Sequence, residues 1–274
     1  MDHLSNLPLE ILVEITKFLS TKDILNFSIS SQSLCDILHN IKFSDFVWFK
    51  NIHSLPYFDS FTDVAYDSNE PIFPKSLHTL YWMSTDALTH VPTTLQSLKL
   101  SPYYDHILPE LPDSLTELNL GSKYNQLLPQ LLDSLTHLIL SDDYNHQLIS
   151  LPATLLHLEL GWSYDKKLPL LPNSLRYLQL GFSFNEIFSK LPDSLEEFVL
   201  GNGYNQPLPL LPNSLKYLEF GDYFDVQNLP RSLPPSLRVS KYCDCHFCDD
   251  GSKYKWWLHF YPKFYELQWH AKST

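Results

Sequence analysis

Seven segments of this chain begin 20 residues apart without an insertion, at Val91, Leu111, Leu131, Leu151, Leu171, Leu191 and Leu211. The unit reads L-P-x-S-L-x-x-L-x-L-G-x-x-[YF]-[ND]-x-x-[LI]-P-x. An outlying copy, Phe73-Pro-Lys-Ser-Leu-His-Thr-Leu80, precedes the run by 18 residues, and a fragment, Leu233-Pro-Pro-Ser-Leu-Arg-Val239, follows it. Self-similarity at a fixed period of this length is the signature of a stacked-repeat architecture, and it constrains the fold more than any other feature of the chain.

Each repeat position has a physical use. In Leu115-x-x-Leu118-x-Leu120 the last two leucines alternate with Glu117 and Asn119, a period of two, which predicts a short strand with leucines facing the core. Gly121, Gly161, Gly181, Gly201 and Gly221 follow the strand, where a residue without Cβ is expected to turn the backbone sharply. The aromatic at Tyr124, Tyr144, Tyr164, Phe184, Tyr204 and Phe224 is expected to stack on its copies inside the coil. The Asn or Asp after it is expected to satisfy backbone groups in the bend. Twenty residues leave no room for a full helix beside the strand and two bends, so the return side should be irregular or 3₁₀. One unit cannot bury its apolar face alone, whereas stacking makes a continuous core. At about 4.8 Å per strand, seven to eight coils predict a sheet roughly 35 Å long.

Composition agrees with this. Twenty prolines exclude long uninterrupted helices over most of the chain, and 44% hydrophobic residues exclude disorder. No apolar run approaches the length of a membrane span. Met1-Asp2-His3 opens with neither a cationic nor an apolar stretch, and three of four cysteines crowd at Cys243, Cys245 and Cys248 rather than forming a spread disulfide framework. The expectation is a reducing, cytoplasmic compartment. Charge is uneven: residues 51–228 carry 8 Lys/Arg against 21 Asp/Glu, a net of −13 within a chain of net −12. An acidic middle argues against nucleic acid as a partner, because phosphate backbones need a cationic footprint.

The repeat resembles the FNIP repeat, a leucine-rich-repeat variant known from giant DNA viruses and social amoebae. The resemblance covers about 91–230 well and 73–90 more weakly. It differs from the usual leucine-rich unit in that Asn falls ten residues after the first strand leucine (Leu115 to Asn125), so a standard asparagine ladder is not expected.

Residues 7–38 have another character. Ile11, Leu12, Ile15, Phe18 and Leu19 share one helical face, and Pro8 suits the first turn. Ser20-Thr21-Lys22-Asp23 resembles a capping box opening a second helix through Ile24, Leu25 and Phe27, and Ser31 is placed to cap a third through Leu34, Ile37 and Leu38. Three short helices make a meagre core, which suits either a module completed by a partner or a cap for the solenoid. The run from Leu7-Pro8 to Ile24-Leu25 resembles an F-box, the motif that docks onto the Skp1 adaptor of cullin–RING ubiquitin ligases. That resemblance implies adaptor contacts, or their support, at Leu7, Pro8, Ile11, Leu19, Ile24 and Leu25. The third helix departs from the family: Ile29-Ser30-Ser31-Gln32-Ser33-Leu34 stands where a Val-Cys pair followed by a basic residue and an aromatic is frequent.

Three other constellations bear on chemistry. Cys243, Cys245, His246 and Cys248 are of types that ligate Zn²⁺, but C-x-C-x-x-C lacks the paired spacing of common zinc folds, and ordinary thiols in a terminal cap fit as well. The aromatic tail from Tyr254 to Trp269 suits either a cover for the open end of the last coil or a docking patch. His137 and His157 share an outward strand column with Ser97, Glu117, Tyr177, Glu197 and Tyr217. Repeat geometry fills that column with polar residues of necessity, and no nucleophile or phosphate loop accompanies them, so no enzyme and no cofactor are expected. Variability in the column is what a target-binding face would show.

The expected architecture is α+β. A three-helix F-box-like module (4–50) and a connector or N-terminal cap (51–72) lead into a leucine-rich-repeat-like β-solenoid (73–230, regular from 91) and an aromatic C-terminal cap (231–274). Two functions follow from it: a substrate-recognition subunit that positions a target, expected to be basic, at a ligase, or an interaction or decoy protein whose box no longer binds an adaptor.

Overall fold

Short strands form where the repeat places its L-x-x-L-x-L run. The computed structural model describes residues 41–241 apart from 68–71 and 222, together with Ile11, Glu14, Ile15, Phe18, Ser20, Asp23 and Leu38. Two compact units divide the chain at Gly121, Met1–Gly121 and Ser122–Thr274. Each is a parallel β-solenoid.

In the first unit the strands are β1 (Val47–Trp48), β2 (Asp63–Tyr66), β3 (Thr79–Trp82), β4 (Ser97–Leu100) and β5 (Glu117–Asn119), each paired in parallel with the next. Strands β1 and β2 precede residue 73, so the sheet extends through the stretch expected to be a connector (β2) and into the end of the one expected to be the helical module (β1). A helical turn, α1 (Phe49–Ile52), and a 3₁₀ turn (Phe58–Ser60) lie between them. Here rings replace the leucine ladder: Phe43, Phe49, Tyr57, Phe61, Tyr66 and Trp82 are all buried. Phe49 stacks on Tyr66 at 4.6 Å and Phe43 on Phe61 at 4.9 Å.

The second unit holds β6 (His137–Ile139), β7 (His157–Glu159), β8 (Tyr177–Gln179), β9 (Glu197–Val199), β10 (Tyr217–Phe220) and β11 (Arg238–Lys241), again paired in parallel in chain order. Its core is the repeat's leucine triplet: Leu155, Leu158 and Leu160, for example, are 0–4% exposed. Tyr124, Tyr144, Tyr164, Phe184, Tyr204 and Phe224 form the expected internal stack, with centroids 6.2–6.4 Å apart. The return side is turns and irregular backbone, with one 3₁₀ turn at Val226–Asn228.

Coil-to-coil bonds come from two places the repeat marks. The corner Ser or Thr donates its hydroxyl to a carbonyl of the preceding coil: Ser174 to Leu155, Ser194 to Leu175, and Ser214 to Leu195, at 2.6–2.8 Å. Then the side-chain carbonyls of Asn125, Asn145, Asn185 and Asn205 accept the backbone N–H of Asn145, Asp165, Asn205 and Asp225, at 2.8–3.2 Å. A ladder of asparagines is therefore present after all. It runs along a solvated shoulder, because the shifted Asn lies beyond the aromatic that fills the interior.

The glycines need a second correction. Only Gly121 has positive φ (69°) among the described glycines. At Gly161, Gly181 and Gly201 an added Cβ would lie 1.6–1.9 Å from the carbonyl oxygen of the equivalent residue one coil earlier. Close approach between coils, rather than a sharp turn, excludes a side chain there.

Most of the stretch expected to form three helices lies outside the described residues. Ile11, Glu14, Ile15, Asp23 and Leu38 are helical. The Ser20 hydroxyl accepts the Asp23 N–H at 3.2 Å and donates to its carboxylate at 2.6 Å, so the forward contact of the capping box is made. No helix among the described residues is long and apolar enough to cross a membrane.

Candidate interaction face

Residues two apart on a strand share a face, and equivalent residues of neighbouring coils lie one strand spacing, about 4.8 Å, apart. Two outward columns result. In the first unit they bring together Ser97 and Glu117, and Tyr81, Lys99 and Asn119. Ser97 is only 7% exposed, so it is a poor contact residue; its hydroxyl donates to Glu117 at 2.7 Å. Lys99 lies 3.1 Å from the same carboxylate and over the Tyr81 ring. Glu117 is thus neutralised within the chain.

In the second unit the first column runs His137, His157, Tyr177, Glu197, Tyr217 and Arg238; the second runs Ile139, Glu159, Gln179, Val199, Glu219 and Ser240. The rings stack along the column. His137 lies 5.4 Å from His157, and His157 lies 4.2 Å from Tyr177 with planes 2° apart. Three of the large side chains are tied to the residue two further on. His157 Nε2 sits 2.6 Å from Glu159, the Tyr177 hydroxyl donates to Gln179 at 2.7 Å, and the Tyr217 hydroxyl donates to Glu219 at 2.7 Å. Glu219 is 8% exposed, and burial pushes its carboxyl above the usual carboxylate range. Burial likewise raises the Tyr177 and Tyr217 phenols.

Of the outward carboxylates, Glu117 and Glu159 are partnered and Glu219 is buried. Glu197 is exposed and, among the described residues, has neither an ion pair nor a side-chain hydrogen bond. The sequence marked the column correctly but missed these i, i+2 ties, for which the strand's period of two was the available signal. The face offers fixed aromatic surface and one free carboxylate, which is equipment for binding. No group of three or more His, Cys, Asp or Glu among the described residues is arranged to hold a metal ion. The candidate ligands Cys243, Cys245, His246 and Cys248, and the aromatic tail, lie outside the described residues. So do Leu7, Pro8, Leu19, Ile24 and Leu25 of the helical module. Ile11 is described, and it is 48% exposed; Phe18, expected from the sequence on the same helical face, is 86% exposed.

A family model of the F-box domain matches residues 4–45, and one of the FNIP repeat matches residues 124–163 and 204–239. The chain is an F-box and FNIP repeat-containing protein. Among solved structures, this F-box and FNIP protein is similar to CroV588, described as a novel circular LRR protein, with 27% identity and a TM-score of 0.53. The match covers 68% of this chain and 34% of that one, so the F-box and FNIP chain spans about a third of its length. YopM from Yersinia enterocolitica WA-314 also matches, at 21% identity and a TM-score of 0.44, over 70% of this chain and 56% of its own. No curated protein compared with the chain matches it. F-box and repeat-solenoid families are interaction modules, and the F-box in general implies binding to Skp1-like adaptors.

Proposed function

We propose that the chain is a non-enzymatic substrate-recognition subunit of an SCF-type cullin–RING ubiquitin ligase. The F-box holds a Skp1-like adaptor through Leu7, Pro8, Ile11, Leu19, Ile24 and Leu25, and the outward strand columns hold a target protein. Its part in the reaction is positioning: tethering both raises the effective concentration of target lysines near the ligase. The observation that carries this reading is the F-box match over residues 4–45, followed by a solenoid whose outward face is lined by stacked rings and hydrogen-bonded polar side chains. The exposure of Ile11 (48%) and Phe18 (86%) supports it, since an apolar face this open suits completion by a partner.

The test is recovery of Skp1 on the immobilised full-length chain, compared with the double variant Leu7→Asp, Ile11→Asp. Wild type should retain Skp1 and the variant should lose it, because two carboxylates would be buried in an apolar contact. Equal recovery from both sinks the ligase reading and leaves an interaction protein with a degenerate box.

A further inference from the structure

Among the described residues, the one unpartnered carboxylate of the second unit's face, Glu197, sits between two tyrosines. Strand pairing places Tyr177 one strand before Glu197 and Tyr217 one strand after it. His157 covers one face of the Tyr177 ring, at 4.2 Å with planes 2° apart, so the other face borders the Glu197 rung. Both tyrosines are held by their hydroxyls, Tyr177 to Gln179 and Tyr217 to Glu219 and Ser240. The aromatic stack is therefore interrupted for one rung, and a carboxylate stands in the interruption. Beside it lies an open depression of about 530 Å³ lined by Glu197, Lys216, Tyr217, Ser236 and Arg238.

We infer that this notch binds an arginine side chain of the target protein, an inference that rests on the strand face being the target surface. Three features select a guanidinium. The missing rung lies between rings two strand spacings apart, about 10 Å, which leaves room for one flat group at stacking distance from Tyr177. Such a group meets an aromatic face and a carboxylate together, the combination that holds a cation best. Lysine brings the charge but no plane to stack, and its ammonium is more strongly hydrated. The rim contains two cations of the chain's own. Lys216 is engaged by Glu196. Arg238 stands on the far side of Tyr217 and makes no ion pair among the described residues, so its charge weakens the notch rather than filling it.

The probe is a seven-residue Gly/Ser peptide with one central arginine, blocked at both ends. It is compared with peptides carrying lysine or citrulline at that place and titrated against the full chain with ¹³C-labelled tyrosine rings. Saturable shifts of the Tyr177 and Tyr217 signals are expected with arginine, about tenfold weaker binding with lysine, and none with citrulline. Glu197→Gln, which is nearly isosteric and exposed, should abolish the shifts. Glu117→Gln should not change them, and Arg238→Ala should strengthen binding. Equal binding of arginine and citrulline, equal binding of arginine and lysine, or an unaltered Glu197→Gln chain each overturns the assignment. Because the readout needs no adaptor, its failure with Skp1 still recovered removes this site alone. Arginine binding by a chain that recovers no Skp1 removes only the ligase reading.

Discussion

The hydroxyl of Tyr204 is buried with no hydrogen-bond partner among the described residues, and its neighbours explain why. In two other coils this phenol reaches the backbone 16 residues earlier: Tyr104 accepts the Leu88 N–H at 3.1 Å, and Tyr164 the Leu148 N–H at 3.5 Å. Sixteen residues before Tyr204 stands Phe188, in a segment reading Phe188-Ser189 where most coils read Leu-Pro. The Phe188 ring packs 6.0 Å from Tyr204, and the hydroxyl is left without its partner. Tyr204→Phe should therefore be neutral or stabilising by up to about 1 kcal/mol, since it removes an unsatisfied buried group. Tyr104→Phe should cost about 1–3 kcal/mol, because it orphans the buried Leu88 amide. Urea unfolding of the two variants checks the contrast, and equal destabilisation would refute it. The aromatic's place in the core was legible from its recurrence every 20 residues. Which hydroxyl would be satisfied was not, since that depends on a side chain in the preceding coil. The same holds for Glu197: the column was readable, but its lack of a partner emerges only when Lys99, His157 and Tyr217 are seen to occupy the other carboxylates.

At the scale of the element, the strand–corner–shoulder unit repeats because the recurring hydrogen bonds between coils are made by backbone or by a short polar side chain. Strand positions, inward leucines and the irregular return were readable from periodicity alone. The bonds across coils were not, because residues 20 apart in sequence become neighbours only through stacking. The glycine after the strand shows the difference. Sequence suggested a backbone conformation, whereas at Gly201 the constraint is distance: an added Cβ would lie 1.9 Å from the Gly181 carbonyl oxygen. Gly201→Ala should then push two coils apart and cost about 1–3 kcal/mol, the usual range for overpacking. Ser101 occupies the equivalent place in an earlier coil and already carries a side chain. Ser101→Ala should stay within about 1 kcal/mol, losing only the 3.3 Å bond from the Tyr103 N–H. If Gly201→Ala melts with wild type, close approach is not what selects glycine there.

At the scale of the whole molecule, stability in a stacked array is a sum of unit and nearest-neighbour terms, so register matters more than any single coil. The second unit makes this testable, since Gly161 and Gly181 begin equivalent segments and the corner hydroxyls of Ser174 and Ser194 reach back to Leu155 and Leu175. Deleting residues 161–180 joins Leu160 to Gly181 with every position still in frame. The chain should then fold with the same β content and unfold cooperatively, at a lower midpoint, because one pair of stacking contacts is lost. Deleting only 161–170 removes fewer residues but puts Leu171 after Leu160, so every later leucine, aromatic and corner Ser reaches the wrong level of the stack. That variant should lose cooperative unfolding across the break. Circular dichroism with urea unfolding decides between them. If the ten-residue deletion is the better tolerated, the coils do not depend on a 20-residue register. The longer deletion also removes Tyr177 while keeping Glu197 and Tyr217, so a folded deletion chain should bind the arginine peptide more weakly than wild type and still distinguish it from citrulline.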